Sequence, residues 1–174
     1  MTLTTTLIIG AASIAVLASA AYLLPASKRV QRTVKIKAAP AEIYQLLKSN
    51  RGFQVFNPYK DKDPELKITL NGPDEGVGSS FAFEGKDGKG TQTITRLEEN
   101  RSVTMLIDLG AMGQPEQTFE LQPTDNGTQV TWSVGASFGM NPIGRIFGLF
   151  MEKFQGPTIE HGLRNLSGSV EQTA

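Results

Sequence analysis

The sequence predicts an α+β fold in which a curved antiparallel sheet grips one long C-terminal helix. Three observations predict it. Residues 29 to 138 run in short, near-alternating apolar and polar segments, the pattern of strands with one wet face. The turns between those segments are too short for anything but antiparallel neighbours. From Asn141-Pro142 onward the apolar residues change to helical spacing.

The chain opens on a different element. None of the first 24 residues is charged, and Leu7 to Leu24 reads LIIGAASIAVLASAAYLL before Pro25 stops it. Eighteen such residues make roughly 27 Å of helix at about 1.5 Å per residue, enough to cross a hydrocarbon core once the Thr-rich lead-in contributes. A cleaved signal peptide is the rival reading, because Ala18-Ser19-Ala20 suits small-x-small cleavage. Its n-region lacks any Lys or Arg, whereas Lys28, Arg29 and Arg32 follow the apolar run. The positive-inside rule then favours an uncleaved anchor at residues 1–26, with the domain on the cytoplasmic side.

A first strand covers Arg29 to Lys37. Ala39-Pro40-Ala41-Glu42 opens a helix, proline being tolerated in a first turn, and Ile43, Leu46 and Leu47 supply its apolar stripe. A second helix or turn spans Arg51 to Phe56 before Asn57-Pro58. Six strands follow: Leu66 to Leu70, Ser79 to Glu84, Thr91 to Leu97, Val103 to Leu109, Gln117 to Leu121 and Gln129 to Phe138. Asn71-Gly72-Pro73, Lys86-Asp87-Gly88, Glu99-Asn100 and Asp125-Asn126-Gly127 make turns between them. The last helix carries Ile143, Ile146, Phe147, Phe150 and Phe154, then Ile159, Leu163 and Leu166. Pro157 removes a helical hydrogen bond and clashes with the turn before it, so the helix is expected to kink or restart there. Residues 27–170 thus form one domain, expected to be a monomer, with 171–174 as a tail.

Composition narrows the chemistry. Seventeen Lys plus Arg balance seventeen Asp plus Glu. A nucleic-acid partner, which needs a cationic excess to displace phosphate counterions, is not expected. No Cys and a single His exclude disulfides, thiolate sites, cysteine nucleophiles and multi-histidine metal cages. Neither a cofactor nor a metal is expected.

Asn57-Pro58-Tyr59, Asp63-Pro64-Glu65-Leu66-Lys67, Gly72-Pro73, Gly76-Val77-Gly78, Phe83-Glu84-Gly85 and Gly88-Lys89-Gly90 occur in that order. Together they resemble the core of bacterial START-like proteins of the polyketide cyclase/dehydrase type, the SRPBCC superfamily. Ala38-Ala39-Pro40-Ala41-Glu42 is similar to its first strand-to-helix turn. Gly148-Leu149-Phe150-Met151 and Glu160-His161-Gly162-Leu163 are similar to its last helix. Leu24-Pro25-Ala26-Ser27 resembles the break that ends an N-terminal hydrophobic segment in some members. The resemblance covers about residues 30 to 168. It implies a helix-grip fold with a cavity between sheet and helix, used to hold lipids, sterols, polyketides and other apolar molecules.

Strand alternation gives a separate reading of the cavity wall. Phe81 and Phe83 share one face, as do Met105 and Ile107, Phe119 and Leu121, and Trp132 and Phe138. These faces are expected to point inward. The candidate ligand-binding residues are therefore Phe81, Phe83, Met105, Ile107, Phe119, Trp132 and Phe138 of the sheet. Phe56 joins them from the second helix, with Phe150 and Phe154 from the last. The plainer reading of each is ordinary core, because cores and pockets are both lined by apolar side chains.

Catalytic residues are not evident. His161 falls off the apolar stripe of its helix and shows no Ser or Asp partner in the sequence, so a solvent-facing role is expected. Glu84 and Asp108 have outward parity. Gly76-Val77-Gly78 and Gly88-Lys89-Gly90 lack the strand-loop-helix setting of a phosphate loop and read as tight turns. Three function classes stand. One is a membrane-tethered binding or carrier domain for an apolar small molecule or lipid, attached through residues 7–24. The second is a cyclase or dehydratase-type enzyme acting on a hydrophobic substrate. The third is a protein-interaction module with a filled core. The inward faces lack an acid, base or nucleophile set, which favours the first.

Overall fold

The alternating segments become a single seven-stranded antiparallel sheet in the computed structural model, which describes residues 19–171. In chain order the elements are β1 (Ser27–Ile36), α1 (Pro40–Leu47), α2 (Asn50–Phe56), α3 (Pro58–Lys62), β2 (Lys67–Asn71), β3 (Ser80–Gly85), β4 (Gly88–Glu98), β5 (Ser102–Asp108), a 3₁₀ turn (Gly110–Met112), β6 (Glu116–Thr124), β7 (Gly127–Ser137) and α4 (Pro142–Glu171). The strands lie in the order β1-β7-β6-β5-β4-β3-β2, so the short turns close a meander and β1 returns beside the last strand. Register joins the apolar parities across the sheet: Ile94 opposite Met105, Val103 opposite Phe119, Phe119 opposite Trp132 and Val30 opposite Val134. A bulge between Ile94 and Arg96 bends β4 and helps curl the sheet. Pro123 is tolerated in β6 because it lies beyond the reach of β5, where only β7 remains as a partner.

α3 is an element that apolar spacing does not predict. Its cause is local: Asn57 accepts from the Tyr59 amide at 3.0 Å, and Pro58 fills the first helical position. The same device starts α4, where Asn141 accepts from the Ile143 and Gly144 amides at 3.0 and 3.1 Å ahead of a first-turn proline. α4 does not restart at Pro157; it continues as one helix of 30 residues. Met151 before the proline and Ile159, Leu163, Leu166 and Val170 after it are all buried on the core side, and that shared burial holds the two halves together.

α4 lies along β1 and β7. Three of its glycines mark close approaches, since a Cβ at Gly148, Gly156 or Gly162 would come within 2.6, 2.5 and 2.3 Å of Phe138, Arg32 and Trp132 respectively. Arg32 stands on the inner parity of β1 opposite Trp132. Its Nε donates to Glu160 and an Nη to Glu152, each at 2.6 Å, tying the sheet edge to the helix. Those bonds, Glu160 first, raise the guanidinium pKa further above its ordinary value.

Among the described residues no helix is long and apolar enough to cross a membrane. Most of the expected anchor, residues 7–18, lies outside the described residues, as do 172–174.

Candidate functional site

The region that family resemblance assigns to a ligand lies between the sheet's inner face and α2 and α4, and side chains take it up. Trp132 is 1% exposed and stands 4.6 Å from Phe119 between ring centroids. Phe53 and Phe56 meet it edge-on at 6.1 and 6.3 Å, and Phe53 stacks on Phe81 at 5.9 Å. Offset and edge-to-face aromatic arrangements of this kind are the favoured ones. Two shallow clefts, of about 600 and 500 Å³, lie mainly on the other side of the sheet, around Arg96, Thr118 and Glu120 and around Thr69, Glu84 and Thr91.

A row of uncharged amides crosses this apolar interior. Trp132 Nε1 donates to Gln117 Oε1 at 3.2 Å, and Gln117 Nε2 donates to Gln92 Oε1 at 2.7 Å. Gln92 Nε2 donates to Asn50 Oδ1 at 2.9 Å, and Asn50 Nδ2 donates to the Ser79 carbonyl at 2.6 Å. Asn50, Gln92 and Gln117 are all buried. Each glutamine nitrogen has one further contact, the Met105 sulfur, at 3.1 Å from Gln92 and 3.3 Å from Gln117. A thioether is a weak acceptor, so two donors converge on a partner that uses little of their strength.

The ten sequence-predicted residues divide into three groups. Phe56, Phe81, Met105, Phe119 and Trp132 are buried together around the amide row. Phe83, Ile107 and Phe138 are half-buried, and the register carries all three toward the same end of the sheet, where Phe138 meets the start of α4. Phe150 and Phe154 are 49% and 57% exposed. The expectation that these two join the cavity wall is thus corrected: they face solvent. The covering face of α4 is Met151, Ile159, Leu163 and Leu166 with the glycines between, because glycine allows the helix to approach and Phe does not. Gln92 and Gln117 were missed, although each occupies the inward parity of its strand, beside Ile94 and Phe119. A polar residue on an apolar parity was the available signal.

His161 is corrected too. Its Nε2 lies 2.6 Å from Asp61 Oδ2, which also accepts from Asn165 Nδ2 at 2.9 Å, so it does have an acidic partner. That partner comes from α3, the helix the sequence reading did not foresee. The Asn165 amide first, then the His161 ring, hold the Asp61 carboxyl below its ordinary range. On the same seam the Tyr59 hydroxyl donates to Gln155 Oε1 at 3.3 Å, and Lys62 Nζ donates to Thr158 Oγ1. Burial raises the Tyr59 phenol and keeps it a neutral donor. The seam is a clasp between α3 and α4. A group whose pKa is depressed on folding stabilises above its unfolded value and loses that contribution as pH falls through the folded one. Acidification below the carboxylate range is therefore expected to loosen α3 before the sheet, read as a loss of amide-exchange protection at Asp61 and Lys62 relative to the intrinsic rate at the same pH. Asp61→Asn should remove that acid-dependent step.

An antiparallel sheet packed on one long C-terminal helix, with an apolar interior between them, defines a helix-grip domain. Residues 27–171 match the family described as Polyketide cyclase / dehydrase and lipid transport, and the chain belongs to it. No curated protein matches the chain in sequence. Among solved structures it is similar to protein MLL2253 from Mesorhizobium loti, at 17% identity and a TM-score of 0.58, covering 84% of this chain and 99% of that one. It is similar to norcoclaurine synthase from Thalictrum flavum in complex with dopamine and hydroxybenzaldehyde, at 15% identity and a TM-score of 0.63, covering 85% and 88%. It also resembles the di-domain aromatase/cyclase StfQ of the steffimycin biosynthetic pathway, at 10% identity and a TM-score of 0.62, covering 84% of this chain and 51% of that one.

Proposed function

We propose that the domain binds an apolar small molecule or lipid between its sheet and α4, and that residues 7–24 tether it to a membrane. The observation that carries the reading is the buried amide row. A core built only for stability gains nothing from amides, since matched apolar side chains serve as well or better than buried polar ones. Here two amide nitrogens converge on Met105, the most adaptable of apolar side chains. With Met105 swung aside they would meet a carbonyl, hydroxyl or carboxylate oxygen of a ligand whose remainder is apolar. Phe83, Ile107 and Phe138, the half-buried end of the interior, supply the entry. The family's description supports a ligand of this class.

The test uses the full 174-residue chain, purified in mild detergent. Extraction and mass spectrometry should recover a copurified apolar molecule, and titration with palmitoleate should shift the emission of Trp132, the only Trp, in a saturable way. Gln117→Leu should abolish the emission response while the chain stays folded. No copurified molecule and no response to palmitoleate at saturation would leave the interior a packed core, and the interaction-module reading would replace this one.

A cyclase-type enzyme is the second reading, and the Asp61–His161 pair is the observation that favours it. A carboxylate fixing a half-exposed imidazole is a common way to orient a general base. His161→Gln would then abolish turnover of a hydrophobic substrate while leaving its binding intact.

A further inference from the structure

We propose that the solvent-facing apolar stripe on the first half of α4 docks the domain onto a bilayer with anionic headgroups. This surface contact is separate from the tether proposed above, and its location rests on that reading. Ile143 is 77% exposed and Phe147 55%, and with Phe150 and Phe154 they recur at four, three and four residues along one face. Ile146 and Leu149 widen the patch. A helix on a soluble surface turns polar residues to that side, and a contiguous exposed apolar patch marks an interaction site.

The occupant follows from where the chain enters the domain. Arg145, in the first turn of α4, donates through Nη1 to the carbonyls of Tyr22 and Leu24 at 2.8 and 2.9 Å. Its guanidinium also stands 5.4 Å from the Tyr22 ring centroid and donates to the Gly139 carbonyl. Residues 22–24, the end of the uncharged run, therefore sit at the head of the stripe. Leu23, 89% exposed, continues the apolar surface toward it.

Charge points the same way. Lys153 is exposed on α4 beside Phe150 and Phe154, Lys28 is exposed at the start of β1 just after the entry segment, and Glu152, the acid next to Lys153, is drawn to Arg32. An apolar stripe with a cationic rim is the pattern that settles into the headgroup boundary of an anionic membrane. A second copy of the chain would cover the stripe but would set this rim against itself across a two-fold axis. Phe138, packed under Gly144 and Gly148, links the stripe to the half-buried end of the interior. Docking would thus present the ligand entry to the phase that dissolves the ligand.

With no Cys in the chain, single-cysteine labelling is clean. Phe147→Cys, Phe150→Cys and, in the far β6–β7 turn, Asp125→Cys would each carry an environment-sensitive fluorophore on the full chain. The chains are reconstituted in phosphatidylcholine–phosphatidylglycerol vesicles. The labels at 147 and 150 should shift to the blue, be quenched by brominated acyl chains and escape aqueous iodide, while the label at 125 behaves oppositely. Replacing phosphatidylglycerol by phosphatidylcholine should weaken the effect. The proposal is overturned if 147 and 150 are quenched by iodide as 125 is, if they are shielded from both quenchers in proportion to protein density, or if the chain does not associate with vesicles. Palmitoleate binding at Trp132 is measured independently, so failure of docking and failure of the carrier reading are told apart.

Discussion

Trp132→Ala is expected to destabilise the domain by about 3 to 5 kcal/mol, the range for emptying a close-packed aromatic site, while Phe150→Ala should fall within about 0.5 kcal/mol of the native protein, as for an exposed position. The sequence offers no ground for separating the two, because both are aromatic residues on apolar stripes. The structure separates them completely. Trp132 is enclosed by Phe53, Phe56 and Phe119, and its Nε1 donates to Gln117. Truncation would leave a cavity and an unpaired buried oxygen together. Phe150 has half its surface in water already. Urea unfolding followed by far-ultraviolet circular dichroism measures both, since Trp132 emission is lost in the first variant. A Trp132→Ala cost well below the core range would mean that its neighbours collapse readily.

The fold was legible because its signals are local. Alternation gave every strand of the sheet, and Asp125-Asn126-Gly127 and Lys86-Asp87-Gly88 gave the reversals between strands that do pair antiparallel. Four of the expected wall residues, Phe81, Met105, Phe119 and Trp132, are buried together for the same reason: strand parity survives folding. What was not legible depends on contacts between distant segments. Nothing near His161 in the chain announces Asp61, one hundred residues earlier, and the pairing exists only because α3 docks on α4. Phe150 and Phe154 are expected in the cavity wall because helical periodicity reports that an apolar face exists, not which way it turns. On this helix the core side is marked by small residues, Gly148, Gly156 and Gly162, which a search for large apolar side chains passes over.

Gly162→Ala is expected to destabilise the domain by roughly 1 to 3 kcal/mol, the usual cost of overpacking, against the intrinsic preference for Ala over Gly inside a helix of about 1 kcal/mol. The sign is set by Trp132. A Cβ at position 162 would lie 2.3 Å from Trp132 Cζ3 and 3.1 Å from Pro58 Cγ. The indole cannot retreat, since Phe119 lies behind it and two further rings hold its edges. Gly168 supplies the control within the same helix, because nothing lies within 4 Å of its Cβ position. There the intrinsic preference acts unopposed, and Gly168→Ala should raise stability by about 0.5 to 1 kcal/mol. Thermal and urea midpoints should therefore move in opposite directions for two chemically identical substitutions six residues apart. Equal gains at both positions would show that α4 and Trp132 part with little cost. The seam between α4 and Trp132 would then be one that opens, a second route into the interior besides the half-buried end at Phe83, Ile107 and Phe138.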